Sequence, residues 1–338
     1  MNIRFRPVET KDLVCCAGAI RDSFAYTADE IKQLVKLWRE TIARGQCSGA
    51  VIEDLQKERL MWCCFIVFVS DEFVKQLYGT PEPYIGKQIL HSYQSGTSPL
   101  LTGDEITERN SAGGLNLLVI NSGAADWVQT PELISLLGRT MVEFTNYHTS
   151  GYRLNEFILE TYSPAGSAWA EGSGLRLRWD CSDKVPEDGV RYGQPQARLY
   201  GMNRDEALES LGTVTSAVFH YRMPRLGFSV TERTTLLYGL TDATYQGQAD
   251  MLNVATVTIG KRWQSIFDKV LGSPLAGELF PEIPATTSGT DGAGKSAIER
   301  KSHRKGVILD YVRRHMEEIR PYREPLSEWG SDREYRSF

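Results

Sequence analysis

No stretch of this chain stays apolar for the ~18–20 residues that cross a bilayer, and the longest run, LMWCCFIVFV (60–69), reads as a buried strand. The first residues, MNIRFRPVETKD, lack the apolar core of a secretory leader, so the cytoplasm is the expected compartment and no membrane partner is expected. The six cysteines (Cys15, Cys16, Cys47, Cys63, Cys64 and Cys181) include no C-x₂-C spacing, which argues against zinc and disulfide frameworks and for reduced, buried thiols. Five histidines are scattered without i, i+4 pairs, so no metal site is expected. A G-x-S-x-G elbow is missing too. Positive charge is not in excess: the net charge of −5 argues against a nonspecific nucleic-acid coat but says little about one small patch.

What the chain does have is length for at least two domains, and the expected fold is α/β followed by an all-α part. Residues 1–200 alternate strand-like and helical stretches, as a mixed-sheet α/β domain does. The strands are expected at IRFRPV, GAVIEDL, LMWCCFIVFVSDEF, GLNLLVIN, LNEFILETY and LRLRWD, with a polar loop over 92–112. PELISLLGRTMVEFTNYHT reads as a helix with Pro131 in its first turn. Residues 201–227 read as a connector, 272–300 as a Gly/Pro/Ser/Thr-rich linker, and 301–338 as a basic helix and tail with Ile308, Val312, Met316 and Ile319 on one face.

Residues 228–271 carry the densest pattern. Ser229 or Thr231 caps a first helix with Leu236, Leu237 and Leu240 inward. A short helix follows with Ala249 and Leu252 inward, ending at Asn253, where a left-handed corner is cheap. Thr256 then begins a third helix whose expected buried stripe is Val257, Ile259, Trp263, Ile266, Phe267 and Val270. Its other face offers Thr256, Gly260, Lys261 and Gln264 to a major groove.

This segment resembles the LuxR-type helix-turn-helix without a gap over 228–270. Ser229, Thr231, Glu232, Arg233 and Leu236 match the family's opening. Gln248, Ala249, Leu252, Val254 and Ala255 match its middle. Thr258, Ile259, Gly260, Arg262, Trp263, Ile266, Phe267, Lys269 and Val270 match its last helix. The resemblance implies a transcription regulator that binds duplex DNA as a homodimer, with Lys261 and Gln264 at bases and Thr258, Arg262 and Lys269 at phosphate or supporting the docking. Gly260 stands where the family usually has a Lys. The segment is charge-neutral, so the basic stretch 295–323 is the expected source of further phosphate contacts.

Over residues 1–180 the element order is similar to the GNAT-type N-acyltransferase fold, with Arg4, Arg6, Pro7 and Asp12 at its opening and Ser163 to Leu175 at its late helix. Where that family has a glycine-rich loop for the pyrophosphate of acyl-CoA, this chain reads SGAADWVQTPEL. Where the family has a proton-donating Tyr, it has Ala170. The expected role of this domain is therefore sensing a small-molecule effector or dimerising. The alternative is an acyl-CoA-dependent N-acyltransferase, and the chain is more an expected non-enzyme than an enzyme.

Three further patterns have plainer readings. Gly289 to Ser296 fits the phosphate-loop spacing G-x-x-x-x-G-K-[ST], but follows the proline-containing PEIPATTS rather than a buried strand, so a linker is expected. Tyr162, Trp169 and Trp179 either line a small-molecule cleft or fill the core, the latter being expected. Glu317 and Glu318 are expected on a solvated helix face.

Overall fold

The computed structural model describes residues 3–21, 26–125, 128, 130–185, 196–281 and 297–323, the side chains of the last stretch from residue 303 on. Lys295, the Gly289–Ser296 motif and the tail beyond 323 lie outside the described residues.

Strand β1 (Ile3–Pro7) is followed by helices α1 (Leu13–Ile20) and α2 (Ala28–Ala43) and by the antiparallel pair β2 (Cys47–Asp54) and β3 (Arg59–Val69). Three helices, α3 (Asp71–Gly79), α4 (Ile85–Gln94) and α5 (Gly103–Ser111), precede β4 (Leu115–Ala124). Helix α6 (Pro131–Thr149) crosses to β5 (Leu154–Thr161), and α7 (Pro164–Gly172) leads to β6 (Arg176–Asp180) and β7 (Arg198–Asn203). The sheet has seven strands in the order β1-β2-β3-β4-β5-β7-β6, antiparallel except for the β4–β5 pair.

Local chemistry accounts for these elements. Thr27 and Glu30 close a capping box at the start of α2, whose Leu34, Leu37 and Trp38 are buried, and Trp38 stacks on Phe65 of β3 at 3.8 Å. The alternation of β3 sends Cys63, Phe65 and Val67 to a core shared with α1, α2 and α4. Cys64, Ile66 and Phe68 face a second core with residues of α5, α6 and α7. Each fully buried Leu, Ile or Phe contributes roughly 1.5–3 kcal/mol. The expected loop over 92–112 instead contains α5, begun by a Thr102–Glu105 capping box. Its weak apolar periodicity hid it.

After the short helices α8 (Arg204–Glu209) and α9 (Val214–Val218), the chain is helical: α10 (Val230–Gly239), α11 (Tyr245–Leu252), α12 (Thr256–Leu271), α13 (Ala276–Leu279) and α14 (Ala297–Arg314), then a 3-10 turn (Met316–Ile319). Leu236, Leu240, Ala249, Ile259, Trp263, Ile266, Phe267 and Val270 form one core with Ile308, Val312, Met316 and Ile319. Ser229 caps α10, and Asn253 adopts the left-handed conformation (φ 50°) between α11 and α12. Val257 leaves the expected stripe: one residue into α12, it is 66% exposed.

Two further expectations are corrected. Glu317 and Glu318 are buried rather than solvated, and the Glu318 carboxylate accepts the Arg225 and Leu226 N–H groups and the Tyr311 hydroxyl. Trp169 and Trp179 are exposed rather than core. The helical part is stitched to the sheet by Arg320, which donates to the Tyr147 and Ser150 carbonyls at the end of α6, and by the Tyr147 hydroxyl, which donates to the Leu237 carbonyl. Among the described residues no helix is long and apolar enough to cross a membrane.

Candidate active site

The parallel ladder between β4 and β5 ends at Val119 and Leu159, although β4 runs on to Ala124 and β5 to Thr161. A bulge at Ile120 breaks the β3–β4 register at the same level, between the Phe65–Asn121 and Ile66–Val119 pairs. Among the described residues, β4 beyond Val119 has β3 on one side and no paired strand on the other, leaving an inner sheet edge where the two strands part.

Polar side chains gather at this fork. Glu160, near the end of β5, accepts the Tyr84 N–H at 2.9 Å, the Ile85 N–H at 2.7 Å and the Tyr162 hydroxyl. It thereby caps α4 from a distant strand, because Tyr84, at the helix start in a left-handed conformation (φ 65°), offers no side-chain cap. Burial pushes the Glu160 carboxyl up to about 7, outweighing the three hydrogen bonds that favour its ionised form. The Tyr84 and Tyr162 rings stack at 5.4 Å. Asn121, beside the bulge, donates to the buried Tyr26 hydroxyl at 3.2 Å, and burial pushes that phenol above its ordinary range. Among the described residues the buried Asn121 Oδ1 atom has no hydrogen-bond partner, an acceptor left over at the fork.

Gly86 brings α4 this close. A Cβ there would lie 2.7 Å from the Tyr26 hydroxyl, 2.8 Å from the Ile120 carbonyl and 3.0 Å from the Asn121 amide. At the rim, the Lys87 ammonium sits 5.7 Å from the Tyr26 ring centre and 5.6 Å from that of Tyr84, and pairs with Glu30 at 3.4 Å. His91 reaches the same carboxylate at 3.3 Å. Tyr162 therefore belongs to this cluster, apart from Trp169 and Trp179. Ala170 is fully buried in α7 and supplies no proton donor. The Tyr162 hydroxyl donates to the Glu160 carboxylate. The signal in the sequence was Glu160 itself, a carboxylate directly after the apolar run FIL in the strand LNEFILETY.

The residues expected at DNA lie on α12. Lys261 and Gln264 are exposed, Gln264 donating to Asp268 at 2.9 Å. Thr256 donates to Gln246 at 2.5 Å, while Thr258 and Arg262 are half-buried. A Cβ on Gly260 would meet nothing within 4 Å. Lys269 is committed to Glu232 at 2.9 Å and the Gly227 carbonyl at 2.7 Å. Three cations among the described residues of the basic stretch are engaged as well. Lys305 lies 5.3 Å from the Tyr245 and Trp263 ring centres and donates to the Ala243 carbonyl. Arg313 pairs with Asp242 and Asp310, and Arg320 is buried.

No protein-family model matches the chain, and no curated protein sequence does. Solved structures do overlap it. One is the C-terminal condensation domain of Ebony in complex with beta-alanyl-dopamine, 14% identical with a TM-score of 0.37, covering 60% of this chain and 99% of that one. Another is the dodecameric spermidine N-acetyltransferase from Vibrio cholerae, 12% identical with a TM-score of 0.35, covering 62% of this chain and 98% of that one. Solved N-acetyltransferases are thus among the structures this chain is similar to. Overlaps of this size carry no chemistry across, so the fork has to be read from its own residues.

Proposed function

We propose that the sheet domain is an N-acyltransferase that moves an acyl group from an acyl-CoA thioester to an amine at the β4–β5 fork. The observation that carries this reading is Glu160, a carboxyl with a pKa near neutrality, bonded to Tyr162 where two parallel strands part. Perturbed titratable groups of this kind cluster at functional sites. The inner edge of β4 beyond Val119 suits an extended, amide-bearing donor, and the Asn121 Oδ1 atom suits an N–H. Acyl-CoA, the donor substrate, supplies the activated thioester; no resident cofactor is invoked.

Glu160 takes a proton from the amine, whose nitrogen attacks the thioester carbonyl carbon. The C–S bond breaks, the thiolate takes the Tyr162 hydroxyl proton, and Glu160 returns its proton to Tyr162. The loop SGAADWVQTPEL lacks the glycine nest of the resembled family, so the donor should bind mainly through its thioester arm and acyl group rather than its phosphates. The test is thiol release from acetyl-CoA by the full chain across a panel of small amines. Wild type should exceed background, and Glu160→Gln should lose roughly 10²–10⁴-fold, the usual share of general acid–base catalysis. Equal rates for the two chains would sink the reading.

A second reading rests on a separate observation: the Asn253 corner presents α12 with Lys261 and Gln264 exposed and open space at Gly260. Here α10–α12 is a LuxR-type helix-turn-helix, two copies bind a two-fold duplex DNA site, and the fork holds a small-molecule effector. Lys269, Lys305, Arg313 and Arg320 are engaged within the fold rather than free for phosphate, which is why this reading stands second. Salt-dependent binding to random and genomic duplexes tests it. A slope near zero with no preferred sequence would end it.

A further inference from the structure

Lys87 belongs to the first turn of α4, immediately after Gly86. Its ammonium rests against the Tyr26 and Tyr84 rings, at 5.7 and 5.6 Å, and one carboxylate, Glu30, holds it there at 3.4 Å. Both rings belong to the fork: Tyr84 stacks on Tyr162, the donor to Glu160, and Tyr26 is bonded to Asn121 beside the bulge. A primary amine of the chain itself therefore stands at the rim of the proposed transfer centre. An amine held on a rigid helix needs no separate encounter, an advantage worth several powers of ten in well-oriented intramolecular reactions.

We propose that Lys87 is a self-acylation site, the chain's own ε-amine serving as acceptor for the acyl group bound at the fork. The proposal rests on the transferase reading. Lys87 gives one proton to solvent and a second to Glu160 while its nitrogen bonds to the thioester carbon. The C–S bond breaks, and the leaving thiolate is protonated through Tyr162, which Glu160 restores. The products are an amide on Lys87, a free thiol and one released proton. Acylation removes the positive charge, so the pair with Glu30 and both cation–ring contacts are lost, and His91 at 3.3 Å becomes the remaining cationic partner of Glu30 when protonated.

Peptide mapping by mass spectrometry after incubation of the full chain with acetyl-CoA tests this. Lys32 and Lys75, each with a side chain 76% exposed, report uncatalysed acetylation within the same molecule. Lys87 should be acetylated roughly tenfold or more faster than either, a small part of the proximity advantage, and Glu160→Gln should return it to their rate. The comparison with Lys32 and Lys75 is internal to the wild-type chain, so it stands even if that variant fails to fold. Labelling of Lys87 no faster than these two, in a chain that still acylates a free amine, overturns the proposal and leaves the transferase reading intact. A chain that acylates neither Lys87 nor any free amine overturns both.

Discussion

The Ile85 backbone N–H donates to the Glu160 carboxylate at 2.7 Å, and through this bond the end of β5 fixes the first turn of α4. One side chain thus serves as helix cap and as the most perturbed carboxyl at the fork.

That double role fixes a pH dependence. The Glu160 carboxyl is raised to about 7 in the folded chain from about 4.5. Between those values the folded state binds more protons than the unfolded state, so the stability associated with this group is fully present below pH 4.5 and is lost as pH rises through 7. The expected span is on the order of 3 kcal/mol. Urea unfolding at steps across that range, compared between wild type and Glu160→Gln, should show a falling component in the first and not in the second. Acyl transfer should change in the opposite sense, rising with pH as the carboxylate forms. A rate that falls through pH 7 would remove Glu160 as the base.

Gly86→Ala probes the contact that brings α4 against the bulge. The added methyl would lie 2.8 Å from the Ile120 carbonyl, which is sheet backbone and cannot swing aside, and 2.7 Å from the Tyr26 hydroxyl. Overpacking of this kind costs about 1–3 kcal/mol, although Ala alone would favour the helix by about 1 kcal/mol. The urea midpoint should fall with an unchanged slope. An unchanged or raised midpoint would mean that α4 is not seated where the geometry puts it.

How legible these features were in the sequence depends on the kind of signal each left. The helical part could be read closely, because Leu236, Ile259, Trp263, Ile266 and Val270 recur at helical spacing and Asn253 sits where only a tight corner makes sense. Val257 misled because the pattern does not show where a helix emerges from its core. The sheet was legible as alternation and apolar runs, yet α3, α4 and α5 were not expected between β3 and β4, since each is short, and α3 and α5 bury only two residues apiece. The fork was least legible. Tyr26, Tyr84, Asn121 and Glu160 lie far apart in the chain and meet only once α4 crosses the bulge. The cations of 295–323 suggested a DNA-binding surface as bare charge. Within that stretch the Lys305 ammonium lies over the Tyr245 and Trp263 rings and Arg320 donates to buried backbone, so a count of charges does not tell which of them face solvent.

Gln248 gives a test of the helical core. It is fully buried, its amide donates to the Ala243 carbonyl at 3.1 Å, and its oxygen accepts the Trp263 indole N–H at 3.0 Å. Gln248→Leu strands the buried Trp263 indole N–H, with a cost of about 1–3 kcal/mol, whereas the Ala243 carbonyl keeps the Lys305 ammonium as its donor. Pairing it with Trp263→Phe removes the stranded donor, so the double variant should cost less than the sum of the two single changes. Strict additivity in a thermal or urea unfolding cycle would show that the indole bond contributes nothing.

Arg320 is the strongest test of how the two parts of the chain are joined. It is buried, its guanidinium donates to the Ser150 carbonyl at 2.8 Å and the Tyr147 carbonyl at 2.7 Å, and it lies 4.5 Å from the Tyr152 ring centre. The carbonyls at a helix C-terminus carry partial negative charge, so a cation there is stabilised without a carboxylate partner. Arg320→Ala leaves the buried Tyr147 carbonyl and the half-buried Ser150 carbonyl without this donor and removes the stacked plane, for an expected loss of about 2–5 kcal/mol. Arg320→Lys should recover only part of it, because one ammonium neither matches the forked geometry nor stacks. Trp263 reports on the helical part, and Trp38 and Trp62 on the sheet, so fluorescence of single-tryptophan variants follows the two separately. In wild type the two transitions should coincide. In Arg320→Ala they should separate, the helical part melting first, since the anchored 3-10 turn closes its core against α14. Coincident transitions at an unchanged midpoint would show that Tyr147 and the remaining contacts hold the parts together without Arg320.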